Sequence, residues 1–221
     1  MFRHLSAAVI GMSLLALPAA VQAQEPTIER ARAHADAIIA EAGASAWFTN
    51  VTDSDTARVR HEPSGMICSF PAIDPRNAIN LYLVAAEEAP TGDAVGCAAW
   101  WGNTRVSNFA SRFPIGYDQQ LVMDAAIRDV ERSWEDVQPY DEDFRVATFG
   151  QQPKPLVFAF SATRDGRTTA QAIVVRNMRD WSFMARAISL YEDEEVALAA
   201  TYVFGRSIPG GWEEFLAAQG D

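Results

Sequence analysis

The chain is poor in most of the residues that announce a chemistry. Lys154 is its single lysine among 18 basic residues, and 221 positions hold two cysteines and three histidines. Two cysteines exclude a disulfide-dense scaffold. The 29 acids outweigh the 18 bases, for a formal charge of -11. Nucleic acid is therefore not an expected partner, because phosphate backbones need clustered Lys and Arg. There is no Gly-x-Ser-x-Gly elbow and no twelve-residue calcium loop. Gly102-Asn103 and Gly210-Gly211 lack the context of a phosphate-binding motif. Beyond the first segment only His34 and His61 remain, which leaves no zinc-ligand spacing and no cofactor to expect. What the chain does have is ordinary globular material, 49% hydrophobic and 10% aromatic.

The first 23 residues read as an address. Arg3 and His4 precede an apolar run from Ala7 to Ala20, and Val21-Gln22-Ala23 carries the small side chains a signal peptidase reads. The run falls short of the roughly 20 residues a comfortable membrane span needs. Cleavage after Ala23 would start the mature chain at Gln24. That chain loses Arg3 and no acid, so its formal charge moves from -11 to -12. No later run is long and apolar enough to span. The expectation is a periplasmic or secreted bacterial protein, with residues 24–221 as one domain.

Cys68 and Cys97 each sit in an apolar, strand-like context. An oxidising compartment favours their pairing, and two buried free thiols are the alternative. A catalytic cysteine needs an electropositive setting beside a histidine, and only His61 is near in sequence.

Turn and cap signals divide the rest. Thr27 opens a helix with an alanine-rich stripe, and Gly43 ends it. Residues 57–61 and 66–70 flank a Pro-Ser-Gly turn and predict a hairpin. A strand pair is expected at about 80–85 and 94–101. The apolar spacing from Asp118 to Val137 predicts an amphipathic helix anchored by Trp134. A meander follows over 145–149, 155–162, 168–176 and 181–188, with Arg164-Asp165-Gly166-Arg167 as a tight turn. Ser189 and Glu192 fit a capping box for a last helix ending at Gly205, before a tail with Trp212 and Phe215. The sum is a single α+β domain, an antiparallel β-sheet flanked by α-helices.

Two strings carry a family resemblance. His61-Glu62-Pro63-Ser64-Gly65-Met66 makes an extended strand, a Ser-Gly turn and an apolar return. Trp181-Ser182-Phe183-Met184-Ala185-Arg186 makes a Trp-initiated strand ending in Arg before a final helix. With the element order over residues 45–205, this resembles the PsbP-like architecture. The resemblance implies an antiparallel α+β scaffold that often serves binding or assembly, and it implies no catalytic set.

Residue groups that might do chemistry are few. His61, Glu62 and Ser64 combine imidazole, carboxylate and hydroxyl, but on a hairpin turn. The acidic strings 53–55, 141–143 and 192–195 match no calcium loop, and the last belongs at a helix start. Arg58 and Arg60 share one strand face, where they could meet an acidic group or simply face solvent. Trp100 and Trp101 are adjacent, so a strand points them to opposite faces. An exposed Trp101 beside Arg105 could form a contact patch; a sheet covered on both faces would hide it. The first expectation is a non-enzymatic accessory or binding protein. It would engage a protein or small molecule through the sheet edge and the loops near 101–115. The alternative is a periplasmic hydrolase with a site near His61.

Overall fold

Helix α1 (Ile28–Glu41) starts where the Thr27 hydroxyl accepts the Arg30 N–H at 3.3 Å. Ala31, Ala35, Ile38 and Ile39 are its buried stripe, and Gly43 leaves it at φ +61°. This computed structural model describes residues 27–83, 91–113, 117–140, 154–189 and 193–211. The expected leader 1–23, the strand at 145–149, Glu192 and the 212–221 tail lie outside the described residues.

The small alanine stripe lets α1 pack on β2 (Ala57–His61). That strand is the centre of a three-stranded antiparallel sheet, between β1 (Phe48–Asn50) and β3 (Ile67–Phe70). The Pro-Ser-Gly turn joins β2 to β3, with Gly65 at φ +74°. A second sheet has seven antiparallel strands. Its spatial order runs β4 (Ala78–Leu81), β5 (Ala94–Trp101), β6 (Thr104–Arg112), β10 (Trp181–Ser189), β9 (Arg167–Met178), β8 (Leu156–Arg164) and β7 (Glu135–Pro139). Two more helices, α2 (Gln119–Ser133) and α3 (Asp193–Ser207), complete an α+β fold.

The period-two alternation gives the large sheet two faces of different character. On the first, Val95, Val106, Val174, Phe183 and Ala185 share one core with α1, α3 and the small sheet. On the second, Phe158, Phe160, Ile173 and Val175 lie beneath Met123 and Val130 of α2. Cys68 of β3 and Cys97 of β5 form a disulfide inside the first core, with Cα atoms 6.2 Å apart. The bridge ties the two sheets together. Closing its 29-residue separation contributes about 3–4 kcal/mol in the chain-entropy treatment.

Four expectations change. Residues 104–112 form a strand in the interior of the large sheet, not contact loops; a two-residue Gly102-Asn103 turn feeds it, with Gly102 at φ +58°. Helix α2 stops at Ser133, because Trp134 turns extended and 135–139 pairs with β8 as an edge strand. Gly205 lies inside α3 rather than ending it. The first strand of the 80–101 pair, expected at about 80–85, starts two residues earlier and is shorter, at 78–81.

Candidate functional site

His61 closes β2 and is wholly buried, wedged between Phe48 at 5.0 Å and Trp181 at 5.6 Å, ring centre to ring centre. Its Nδ1 and the Ser64 hydroxyl are hydrogen-bonded at 2.8 Å, and that hydroxyl also accepts the Met66 N–H at 3.1 Å. Burial, helped by the positive Arg112, pushes the imidazole pKa down to about 4. A hydrolytic serine must meet a substrate carbonyl while its histidine takes the proton. Here both groups are interior, and their hydrogen bonds pin the 62–65 turn. The pair holds the hairpin against β10, and His61 presents no surface to a ligand.

The other predicted contact residues scatter. Arg58 pairs with Asp53 at 3.2 Å, and Arg60 pairs with Glu62 at 2.9 Å, both on the outer face of the small sheet. Trp101 packs against the first core, edge-on to Tyr202 at 6.3 Å. It is therefore covered, not an exposed contact. Its neighbour Trp100 points to the second face, where the Arg76 guanidinium stacks over it at 4.0 Å. Arg105, paired across the strands with Trp100, is exposed on that same second face.

The second face divides in two. Helix α2 packs on β7, β8 and β9. Among the described residues no helix lies on this face over β4, β5 and β6. The part without a described helix presents Tyr82, Trp100, Arg105 and Phe109, with Gly96, Ala98 and Ser107 buried low between them. At its border with α2, β10 sets Arg186 into the sheet. The Arg186 guanidinium lies 5.9 Å from the Trp134 ring, and Arg164 lies 5.8 Å from the same ring. Arg186 donates to Gln171 Oε1 at 2.8 Å, and desolvation lowers its pKa. Arg164, Gln171 and Arg186 belong to none of the residue groups that stand out for chemistry in the sequence. The available signal was a cation set inside an apolar alternation, Met184-Ala185-Arg186-Ala187-Ile188.

Elsewhere, a shallow open cavity between α1 and the 57–70 hairpin is lined by Arg30, Asp55, Phe70 and Ile73 among others. Among the described residues, no three His, Cys, Asp or Glu side chains gather as a metal site. No described helix is long and apolar enough to cross a membrane.

No family model matches the chain, and no curated protein does. Among the solved structures similar to part of it are two that illustrate the level of likeness. One is PA94 of Pseudomonas aeruginosa, a protein of unknown function, at 12% identity and a TM-score of 0.31, covering 61% of this chain and 82% of that one. The other is LpqN, involved in cell envelope biogenesis of Mycobacterium tuberculosis, at 14% identity and a TM-score of 0.30, with the same 61% and 82% coverage. Likeness at this level carries no argument about fold or function, and the PsbP-like resemblance rests on the sequence alone.

Proposed function

We propose that the chain is an exported accessory or binding protein that takes a protein or small-molecule partner on the second face of its large sheet. The observation that carries this reading is the half of that face over β4, β5 and β6 that no described helix covers. Aromatic groups and arginine stand there around a floor of small residues, the composition that binding surfaces favour. Export is supported by the leader-like first 23 residues and by the buried disulfide, a bond of oxidising compartments. Arg58, Arg60 and Trp101 have partners inside the fold and are not assigned to the contact; Arg105 is.

Affinity capture from envelope extracts tests the binding face, using the mature protein beside Trp100→Ala and Phe109→Ala. The reading expects a partner held by the parent and lost by both variants. A partner retained equally by all three, or none held by the parent, ends it. Intact mass of the exported protein tests the leader, with a start at Gln24 expected.

A further inference from the structure

The arginines of the second face are arranged as if for a charge that the described residues do not supply. The β6–β10 register sets Arg105 opposite Ile188 and Arg186 opposite Ser107, so the two arginines are diagonal neighbours on one face. Arg164, at the end of β8, reaches the same Trp134 ring as Arg186. Among the described residues none of the three forms an ion pair. We propose that Arg105, Arg164 and Arg186 form a binding site for a phosphate-type dianion.

Arg186 is built in rather than draped on the surface. Its Nη2 donates to Gln171 Oε1 at 2.8 Å, Gln171 Nε2 donates to Thr169 Oγ1 at 3.0 Å, and Thr169 Oγ1 donates to the Ala162 carbonyl at 3.2 Å. Gln171 is wholly buried. This chain of neutral groups orients the guanidinium without neutralising it, and the buried Arg186 Nε has no hydrogen-bond partner. Arg105 and Arg164 both lie near enough to oppose the charge on Arg186. Asp129 of α2 is the acid that offsets it, and that carboxylate is shared with Arg132 at 3.4 Å. Holding like charges together costs free energy that a bound anion returns. Among the described residues, three guanidiniums against one shared carboxylate leave at least two positive charges. That excess matches a dianion better than a single carboxylate, and the planar guanidinium fork suits tetrahedral oxyanions.

The proposal deepens the binding-protein reading and rests on it for its purpose, yet it fails separately. Calorimetric titration at fixed ionic strength in chloride uses two probes. One is inorganic phosphate, the other phosphatidylcholine vesicles carrying phosphatidic acid. Arg186→Gln should weaken phosphate binding at least tenfold, and Arg105→Gln or Arg164→Gln several-fold, while Arg60→Gln leaves it unchanged. Melting curves check that Arg186→Gln folds, and the two more exposed variants keep the test alive if it does not. Binding to phosphatidic acid vesicles alone, lost with the same variants, also supports the site and assigns the phosphate to a lipid headgroup. No binding to either probe, or binding indifferent to all three variants, overturns it. If phosphate fails while Trp100→Ala still loses its partner, only the anion site falls. If phosphate binds while capture is indifferent to Trp100→Ala, the docking face falls and the anion site stands.

Discussion

Two groups of arginines in this fold are treated in opposite ways. Arg58, Arg60, Arg76 and Arg112, on the small sheet and at strand ends, each meet a carboxylate at between 2.6 and 3.2 Å. Two of those acids, Glu62 and Asp74, lie only two residues from their arginine. Arg105, Arg164 and Arg186 stand on the large sheet's second face, and the best-placed of them is held by an amide. Nearby chain neutralises Arg58, Arg60 and Arg76, and Asp93 and Asp180 neutralise Arg112, so the first group has little left to offer a ligand. Long-range sheet register assembles the second, and neutral groups hold its central member. A chain with a formal charge of -11 can still present a cationic site, because strand order gathers these arginines and, among the described residues, sets only Asp129 against them.

The largest test of this contrast removes the link between its two halves. The Cys68–Cys97 bridge ties the small sheet to the large one. Replacing both cysteines with alanine should cost about 3–4 kcal/mol, lowering the melting temperature by about 10 °C. Below the new transition, phosphate titration should be unaltered, because the cationic site lies wholly on the large sheet. A loss of binding in the folded variant would show that the two regions are not separable.

Acid should loosen the paired region in two stages. His61 has an unfolded pKa of 6.5 and a folded one of about 4, so the unfolded chain takes the proton first. Its contribution is complete above 6.5 and is lost as pH falls towards 4. The loss amounts to about 2–3 kcal/mol, read from urea midpoints across that window. His61→Gln should flatten this slope. A second loss belongs to Asp74, held down to about 2 by its hydrogen bonds from Arg76. That contribution is present above the unfolded value of 3.8 and disappears below it. A midpoint that does not move between pH 6.5 and 4 would contradict the buried, neutral imidazole.

Much of the fold was legible because its signals are local. Thr27 and Asp118 cap helices where the sequence places them, and the hairpin turns carry Gly and Pro at the expected positions. The missed strand shows the limit. Thr104–Arg112 alternates poorly because Ser107 and Asn108 are buried polar residues, so the Gly102-Asn103 turn has no clear strand after it to mark it as a hairpin. Without β6 the face of every neighbouring residue is undetermined, so Arg105 and Arg186 could not be put side by side. Which face Trp101 takes depends on the same strand. His61, Glu62 and Ser64 stand out together in the sequence, yet the burial that makes His61 structural comes from Phe48 and Trp181, which are distant in the chain.

A smaller effect tests whether the uncovered half-face is packed or loose. A Cβ on Gly96 would stand 2.9 Å from Phe109 Cδ1 and 3.1 Å from the Asn108 carbonyl. The ring can give, but the backbone carbonyl of a paired strand cannot. Gly96→Ala should cost about 1–2 kcal/mol, seen as a melting temperature lower by a few degrees. An unchanged melting temperature would mean that Phe109 swings freely, and that the half-face has no fixed shape to recognise a partner.

The smallest expected effect carries the sharpest contrast. Arg60 and Glu62 are both about half exposed and sit two residues apart, so solvent and side-chain entropy cancel most of their attraction. Arg60→Gln should leave the melting temperature within about one degree of the parent. It removes the same charge as Arg105→Gln, yet only the latter should weaken phosphate. If the two substitutions act alike on titration, the anion is answering to the chain's total charge, and the grouping of arginines on the second face has no meaning. If they differ, position on the sheet decides, because β6 and β10 bring Arg105 beside an oriented Arg186 while β2 gives Arg60 its own carboxylate.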